Sequence, residues 1–536
     1  MPNDEAPPTE VTEATSSAVP QRGRSSAPLV LYAAVTLSIL IAWVLYARLL
    51  GTNVLPIDDP YIAMRNAHLL ANGEPDTRFP GATPVHGSTS LVHTVLVAGL
   101  MKALSPLAAM DVARWLGVLA YALGLARLGL AHTRNVWVAA AGVVAGLLVG
   151  QTPHQVLNGL ETGLAMAAVA WWLVWASHER PTGCLAVLCG IMPYIRPELA
   201  ALSTAGLLVL WQQHVGAASP RRVAMMGFGR SVLLALLAAA PWALVYWHYT
   251  GAPYTPTAAA KMYYFAEGTH PLAERIIVAL LCTGSFLQWH ILPLAFAPVF
   301  YYVHRAAKLS VAFVAVLVAV YAWCFPGALA HFGHRYLYVA VPVLVGCLVM
   351  GIGHGSGLVR KVCLALVGVT LVYSLAFVVP QWRVHLWSLG FTAVELEGIS
   401  RYCQQVVPEG ATILVHDAGY MAWRTEFPLN DLVGLKTPGN VAVHKALTWP
   451  SAGKQRSQAI DEIALRSGAR YCVVRSASER LFGVIRALSE AGWGIRPLGP
   501  RGLDYQLFEI TPPTQGASAP PATSGVTPDG DAADAP

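Results

Sequence analysis

The sequence predicts a polytopic α-helical membrane protein that ends in a small extracytoplasmic α/β domain. Three observations lead there. Hydrophobic residues make up 55% of the 536 and charged residues only 12%, and mean hydropathy is +0.50. A water-soluble chain carries about twice that charged fraction. Apolar runs recur as far as Pro380, and beyond it strand and helix patterns alternate. The net charge of +6 is small for the length and gives no argument for a nucleic-acid partner.

Residues 1–27 are rich in Pro, Ser, Thr and Glu and are expected to be disordered. Arg22 and Arg24 ahead of the first apolar run place that terminus in the cytoplasm. The run itself, Leu29 to Leu50, is too long for a signal-peptide core and lacks a cleavage site, so it reads as a retained anchor. Further apolar segments follow near 89–105, 111–130, 136–150, 162–177, 182–195, 197–213, 231–249, 276–302, 309–325, 336–353 and 360–379. Several are shorter than the roughly 20 residues of a full span. Arg221, Arg222 and Arg230, then Arg305 and Lys308, then Arg360 and Lys361 mark cytoplasmic loops. Counting from them puts residues 380–512 outside. A cytoplasmic start and an external end need an odd number of crossings. The expectation for the membrane domain, residues 28–379, is therefore about eleven. The short pair around Arg196 or the run before Glu161 would then not be a full span.

Two external loops, 51–88 and 250–275, are long and not apolar. The first carries an interfacial helix candidate, Tyr61 to Ala71, with apolar Ile62, Met64, Leu69 and Leu70 and polar Arg65, Asn66 and His68. After Pro380, strands are expected at Thr412 to Val415, Tyr471 to Val474 and Tyr505 to Ile510. Helices are expected at Ala393 to Val407, Ser457 to Ser467 and Ala477 to Ala491. No Gly-x-Gly-x-x-Gly occurs there, so the domain is not read as dinucleotide-binding. The tail, 513–536, reads as disordered. Six of the eight cysteines lie in apolar segments. Cys403 and Cys472 lie in the external domain, where an oxidising compartment would let them pair.

The stretch Ile57-Asp58-Asp59-Pro60-Tyr61-Ile62 carries the most chemistry. Ionised Asp is costly in hydrocarbon, so the pair belongs at the mouth of a membrane-embedded cavity. Paired carboxylates there suit general-base or nucleophilic work on a lipid-borne substrate. Capping of the helix that follows is the alternative.

Asp58-Asp59-Pro-Tyr-Ile-Ala-Met-Arg65-Asn-Ala-His-Leu-Leu-Ala-Asn-Gly73 resembles the signature Asp-Asp-Ala-Tyr-Ile-Ser-x-Arg-Tyr-Ala-x-Asn-Leu-Ala-x-Gly. That signature belongs to polyprenyl-phosphate-dependent glycosyltransferases of the GT-C superfamily, in particular the cell-wall arabinofuranosyltransferases and their relatives. Pro80-Gly81 and Val85-His86-Gly87-Ser88-Thr89-Ser90 resemble their Pro-Gly-x-x-Val-Glu-Gly-Tyr-Thr-Ser, with His86 for Glu and Ser88 for Tyr. Gly159-Leu160-Glu161-Thr162, Arg196-Pro197-Glu198, the Thr257 to Lys261 stretch, His334-Arg335-Tyr336-Leu337-Tyr338 and Asp431-Leu432-Val433-Gly434-Leu435 match in order.

The resemblance implies a GT-C-like helical core. It also implies a polyprenyl-phosphate sugar donor and an acceptor hydroxyl on a glycan, lipid-linked glycan or protein outside the cytoplasmic membrane, among membrane lipids. Arabinofuranosyl transfer is the subclass it points to. Asp58 is then the catalytic carboxylate and Asp59 orients it or the acceptor. Arg65 and His86 are substrate-binding candidates through the signature. Glu161 follows a break and opens an apolar helix, where it could accept sugar hydroxyls, hold a cation or simply answer the helix dipole. Arg196 interrupts an apolar stretch and needs a partner, a lipid phosphate or Glu161, unless it snorkels. Lys261 suits a leaving phosphate, because it neutralises charge on the departing oxygens; a solvated lysine near headgroups is the alternative. Arg335, flanked by His334 and Tyr336, could grip phosphate with Tyr336 beside it, or anchor the span at the interface. His86 and His93 could join the carboxylates at a divalent metal, though isolated histidines are more often hydrogen-bonding residues. Asp431 reads as structural. A transporter or flippase of lipid-linked sugars would share the spans and charges but predicts inverted repeats, and no such repeat is visible.

Overall fold

The computed structural model describes residues 26–51, 54–216 and 220–513. Arg22, Arg24 and nearly all of the two segments expected to be disordered lie outside these residues. Among the described residues, seven helices are long and apolar enough to cross a membrane: Ala27–Leu50, Pro106–Thr133, Arg221–Thr250, Leu272–His290, Arg305–Cys324, Pro326–His354 and Gly357–Val406. Five more apolar helices are shorter, at 10–17 residues. The chain is a multi-pass membrane protein.

Burial separates outer helices from inner ones. Ala27–Leu50 and Arg221–Thr250 leave Leu29, Leu37, Leu236 and Leu244 uncovered, as lipid-facing helices must. Val341–His354 is the reverse, with Val341 to Ile352 all buried. It packs against Pro106–Thr133 and Thr162–Ala176 at the centre of the bundle.

Two apolar segments differ from expectation. The run at 276–302 is not one helix. It passes through a π turn at Phe286–His290 and continues as 3-10 helix over Leu292–Val303. Pro293 and Pro298 lack the N–H that an α-helix needs there. The run at 89–105 forms only Leu91–Leu100, started by Ser90, whose hydroxyl accepts the His93 N–H at 3.2 Å. The last long helix, Gly357–Phe391, runs straight through Pro380. The first strand begins only at Ile413.

Beyond it lies a five-stranded sheet of β1 (Ile413–Val415), β2 (Leu429–Asp431), β3 (Tyr471–Arg475), β4 (Gly494–Gly499) and β5 (Tyr505–Thr511), in the order β2-β1-β3-β5-β4. β1 pairs parallel with both β2 and β3; β5 is antiparallel to β3 and β4. Side chains alternate between faces. Ile413 and Val415 pack with Leu429, Val473 and Cys403. Leu414 packs with Ile460, Ile510 and Cys472 on the other face. Cys403 and Cys472 are therefore in separate cores, and both are free thiols. β2 and β4 were not expected from the sequence, and the expected helix at 477–491 is two. Gly483, at φ 59°, ends Ser476–Phe482 before Val484–Glu490.

The sheet domain meets the segment 54–88 beside β2 and through the turn that follows it. After β2, the fully buried Lys436 ammonium reaches Asp76 at 2.8 Å and Asn66 Oδ1 at 2.7 Å. The Leu429 N–H donates to the Arg78 carbonyl at 2.7 Å. Arg456 donates to the Tyr264 and Phe265 carbonyls at 3.1 and 3.0 Å. These bonds fix the sheet domain against the segments 54–88 and 250–275.

Candidate active site

The interfacial helix expected at Tyr61 to Ala71 runs Asp59–Asn72 and ends on Gly73 in the left-handed region. Tyr61, Ile62, Met64, Ala67 and Leu69 are buried, which fixes how the helix is turned. Neighbouring side chains on a helix diverge by about 100°. Asp58 and Asp59, side by side in sequence, accordingly face two different cavities.

Asp59 faces a narrow polar cavity with room for about 20 Å³. Glu161, His93, Ser88, Lys261 and Arg335 share its wall. Arg335 donates to Asp59 Oδ2 at 2.9 Å and to the Tyr336 hydroxyl at 3.0 Å. Lys261 donates to the same hydroxyl at 3.3 Å. Burial alone would raise the Asp59 carboxyl, but Arg335 and then Lys261 outweigh it and hold it below its ordinary value. Lys261 has no carboxylate within ion-pair distance among the described residues, so its charge is not paired by direct contact. His93, also buried, keeps an unpartnered Nε2.

Lys261 and Tyr336 also close one end of an apolar cavity of about 350 Å³, walled by Ala258, Met262, Val320 and Phe325. A charged head and a greasy tail could thus lie end to end across Lys261.

Asp58 faces the other way. Both carboxylate oxygens are bonded by the sheet domain: Oδ2 accepts the Gly419 N–H at 2.8 Å and Oδ1 the Tyr420 N–H at 2.7 Å. Only glycine allows this approach, since a Cβ on residue 419 would lie 2.3 Å from the Asp58 carbonyl oxygen. Asp58 makes no side-chain cap to its own helix. Its carboxyl is pushed up to about 8, first by burial and then by the charge of Asp417. Asp417 is held below its ordinary value because a bond from His416, that residue's charge and a bond from Tyr505 outweigh its burial. Asp58, Asp417, Arg475 and Tyr505 line one cavity of about 300 Å³.

The structure gathers Asp59, Glu161, Lys261, Arg335 and Tyr336 and sets Asp58 beside them. The remaining sequence candidates are engaged elsewhere. Arg65 pairs with Asp76 at 3.1 Å and donates to the Ala422 carbonyl. The His86 ring accepts from the Thr83 N–H at 3.0 Å. Neither lines the polar cavity. Arg196, fully buried, lies between Glu198 at 2.5 Å and Glu161 at 3.7 Å. Of the two partners expected for it, the structure supplies Glu161 and adds Glu198. Asp431 accepts the Val433 and Lys436 N–H groups and shapes the turn that carries Lys436. No group of three or more His, Cys, Asp or Glu side chains is placed to hold a metal ion among the described residues.

Asp417, Arg475 and Tyr505 went unsingled in the sequence as site residues. The sheet itself is the signal that finds two of them. Asp417 lies just past β1 and Arg475 ends β3, and open parallel sheets bind ligands at their carboxyl ends.

A family model described as a domain of unknown function (DUF8728) matches residues 387–517. No curated protein matches the chain. Among solved structures, the arabinofuranosyltransferase AftD from Mycobacteria is similar over 89% of this chain and 41% of its own, at 13% identity and a TM-score of 0.45. The apo crystal structure of ArnT from Cupriavidus metallidurans is similar over 90% of this chain and 97% of its own, at 14% identity and a TM-score of 0.50. That likeness runs nearly end to end in both chains, and this protein shares the fold of that structure.

Proposed function

We propose that this chain is an integral-membrane glycosyltransferase that moves a sugar from a polyprenyl-phosphate donor to a hydroxyl acceptor outside the cytoplasmic membrane. The observation that carries the reading is the position of Lys261. It closes an apolar cavity on one side and lines a polar, carboxylate-bearing cavity on the other. A prenyl chain fits the first, and its phosphate falls on Lys261 and Arg335.

In this mechanism the acceptor oxygen attacks the anomeric carbon and the bond from that carbon to the phosphate oxygen breaks. The phosphate departs with the electron pair, its charge met by Lys261 and Arg335. Asp58 takes the acceptor proton. A carboxylate whose proton affinity is raised is a better base than one held down, which favours Asp58 over Asp59 for that step. Asp59 holds Arg335 until donor phosphate takes its place. Release of that pair would open the narrow polar cavity for the donor sugar.

Helix geometry supports the sidedness. Arg305 opens a 20-residue helix whose far end reaches Cys324 beside Lys261. At about 1.5 Å per residue that is roughly the thickness of the hydrocarbon core. The basic loop and the site thus lie at opposite ends, as an extracytoplasmic site requires. The arabinofuranosyl subclass rests on the sequence motifs.

The test is donor consumption by the purified chain in proteoliposomes, over a panel of polyprenyl-phospho sugars. One donor at least should be consumed, and Lys261→Ala should slow it tenfold or more. Consumption of none would end the reading.

A further inference from the structure

We propose that the cavity between residues 384–391 and the sheet domain binds a neutral saccharide, the acceptor, and that the domain of unknown function at 387–517 is there to build it. The proposal rests on the glycosyltransferase reading and adds the acceptor's class and location. The cavity holds about 300 Å³, at the small end of the ~300–1,000 Å³ typical of ligand sites. Nearly half of its lining residues come from the matched domain.

Its chemistry is that of a sugar site. Trp387, Phe391, Phe332 and Tyr505 give it aromatic faces, against which the C–H faces of a sugar ring pack. Trp387 is 63% exposed, so part of its ring is open to a ligand. Asp58, Asp417, Gln151 and His154 supply polar groups that converge from both domains. The two carboxylates keep free lone pairs for hydroxyl groups even after accepting their protein partners.

Charge selects against an acidic acceptor. Arg475 is the single cation in the wall, and Asp504 already pairs with it at 2.7 Å while its guanidinium stacks on Phe391 at 4.5 Å. A uronate would meet the ionised Asp417 with no free cation to balance it.

A strained turn borders the seam cavity and leads into Arg335 of the polar one. Phe332, Gly333 and His334 all have positive φ, at 46°, 65° and 64°. A left-handed phenylalanine persists only where its surroundings hold it. Here the Gln155 amide donates to the Phe332 carbonyl at 2.8 Å. The turn sends Phe332 into the seam cavity and delivers Arg335, one residue beyond it, to Asp59. One backbone feature therefore sets the acceptor wall and the donor cation together.

Saturation-transfer NMR on the full chain in nanodiscs tests this. The probes are neutral arabino-, manno-, galacto- and gluco-oligosaccharides of two to four units, with oligogalacturonate beside them. At least one neutral probe should bind, with Trp387→Ala and Arg475→Gln weakening it tenfold or more and the distant Arg496→Gln leaving it unchanged. Thermal unfolding of each variant guards against misfolding, and Asp417→Asn gives a third, nearly isosteric probe of the wall. The proposal is overturned if no neutral probe binds, if the seam variants bind like wild type, or if oligogalacturonate binds more tightly. Saccharide binding without consumption of any lipid donor would keep the site and sink the glycosyltransferase reading. Donor consumption with no seam binding would do the opposite.

Discussion

Lys436→Met isolates what holds the sheet domain on the membrane domain. Methionine keeps most of the stem and removes the ammonium, whose side chain is 1% exposed and faces an Asp76 side chain that is wholly buried. Breaking a buried ion pair by removing one partner costs about 3–5 kcal/mol, because the other charge stays buried. Asp76 would keep Arg65 at 3.1 Å and the Arg78 N–H at 3.1 Å, so the low end, about 3 kcal/mol, applies. Asn66 also loses its 2.7 Å donor. That is roughly a hundredfold in the docking equilibrium. Hydrogen exchange should speed up across residues 411–436, and thermal unfolding in nanodiscs should shift down. The double variant Asp76→Asn with Lys436→Met should recover much of the loss, because no unpaired charge remains. A loss below about 1 kcal/mol, with unchanged exchange, would refute the claim that this pair anchors the domain.

Three further outcomes are expected. Since burial and Asp417 push Asp58 up to about 8, its basic form grows with pH, and transfer should climb about tenfold per pH unit below that value and level off above it. Asp417→Asn removes a raising charge, so the midpoint should move to lower pH; an unmoved midpoint would detach Asp417 from Asp58. Arg196→Met should destabilise the fold by about 3–5 kcal/mol, leaving Glu161 and Glu198 without their cation, whereas a pure donor ligand would leave thermal unfolding unchanged. Cysteine labelling in intact cells should modify Glu74→Cys and Arg480→Cys, both exposed, and reach Lys308→Cys only after permeabilisation. The reverse pattern would invert the topology.

Much of the molecule was legible in its sequence because hydropathy and turn chemistry act locally. Most apolar segments, the interfacial helix after Asp59, β1, β3 and β5 all announce themselves by period or composition. β2 did not: it is three residues, Leu429–Asp431, and becomes a strand only because β1 lies beside it. β4 carries Gly494, Pro497 and Gly499 and is largely uncovered, the composition of a loop made strand by its place at a sheet edge. The two cavities are the deeper case. Motif reading set Asp58 and Asp59 together as a pair, although helix geometry alone parts their side chains. That Asp58 would be gripped by Gly419 and Tyr420, some 360 residues on, has no local signal. The same holds for Arg65 and His86. Their motif positions are recognisable, while their engagement with Asp76, Ala422 and Thr83 is a product of the tertiary fold.

The bonds from Gly419 and Tyr420 also sharpen how Asp58 has to be tested. An asparagine can accept only one of the two N–H groups, so loss of activity counts only where the sheet domain remains docked. The decisive measurement is sugar transfer from a consumed polyprenyl-phospho donor by purified Asp58→Asn beside wild type, with matched hydrogen exchange across residues 413–436. The account predicts a fall of about a hundredfold or more, as expected on losing a positioned base. Near-normal transfer by a docked Asp58→Asn protein would contradict it.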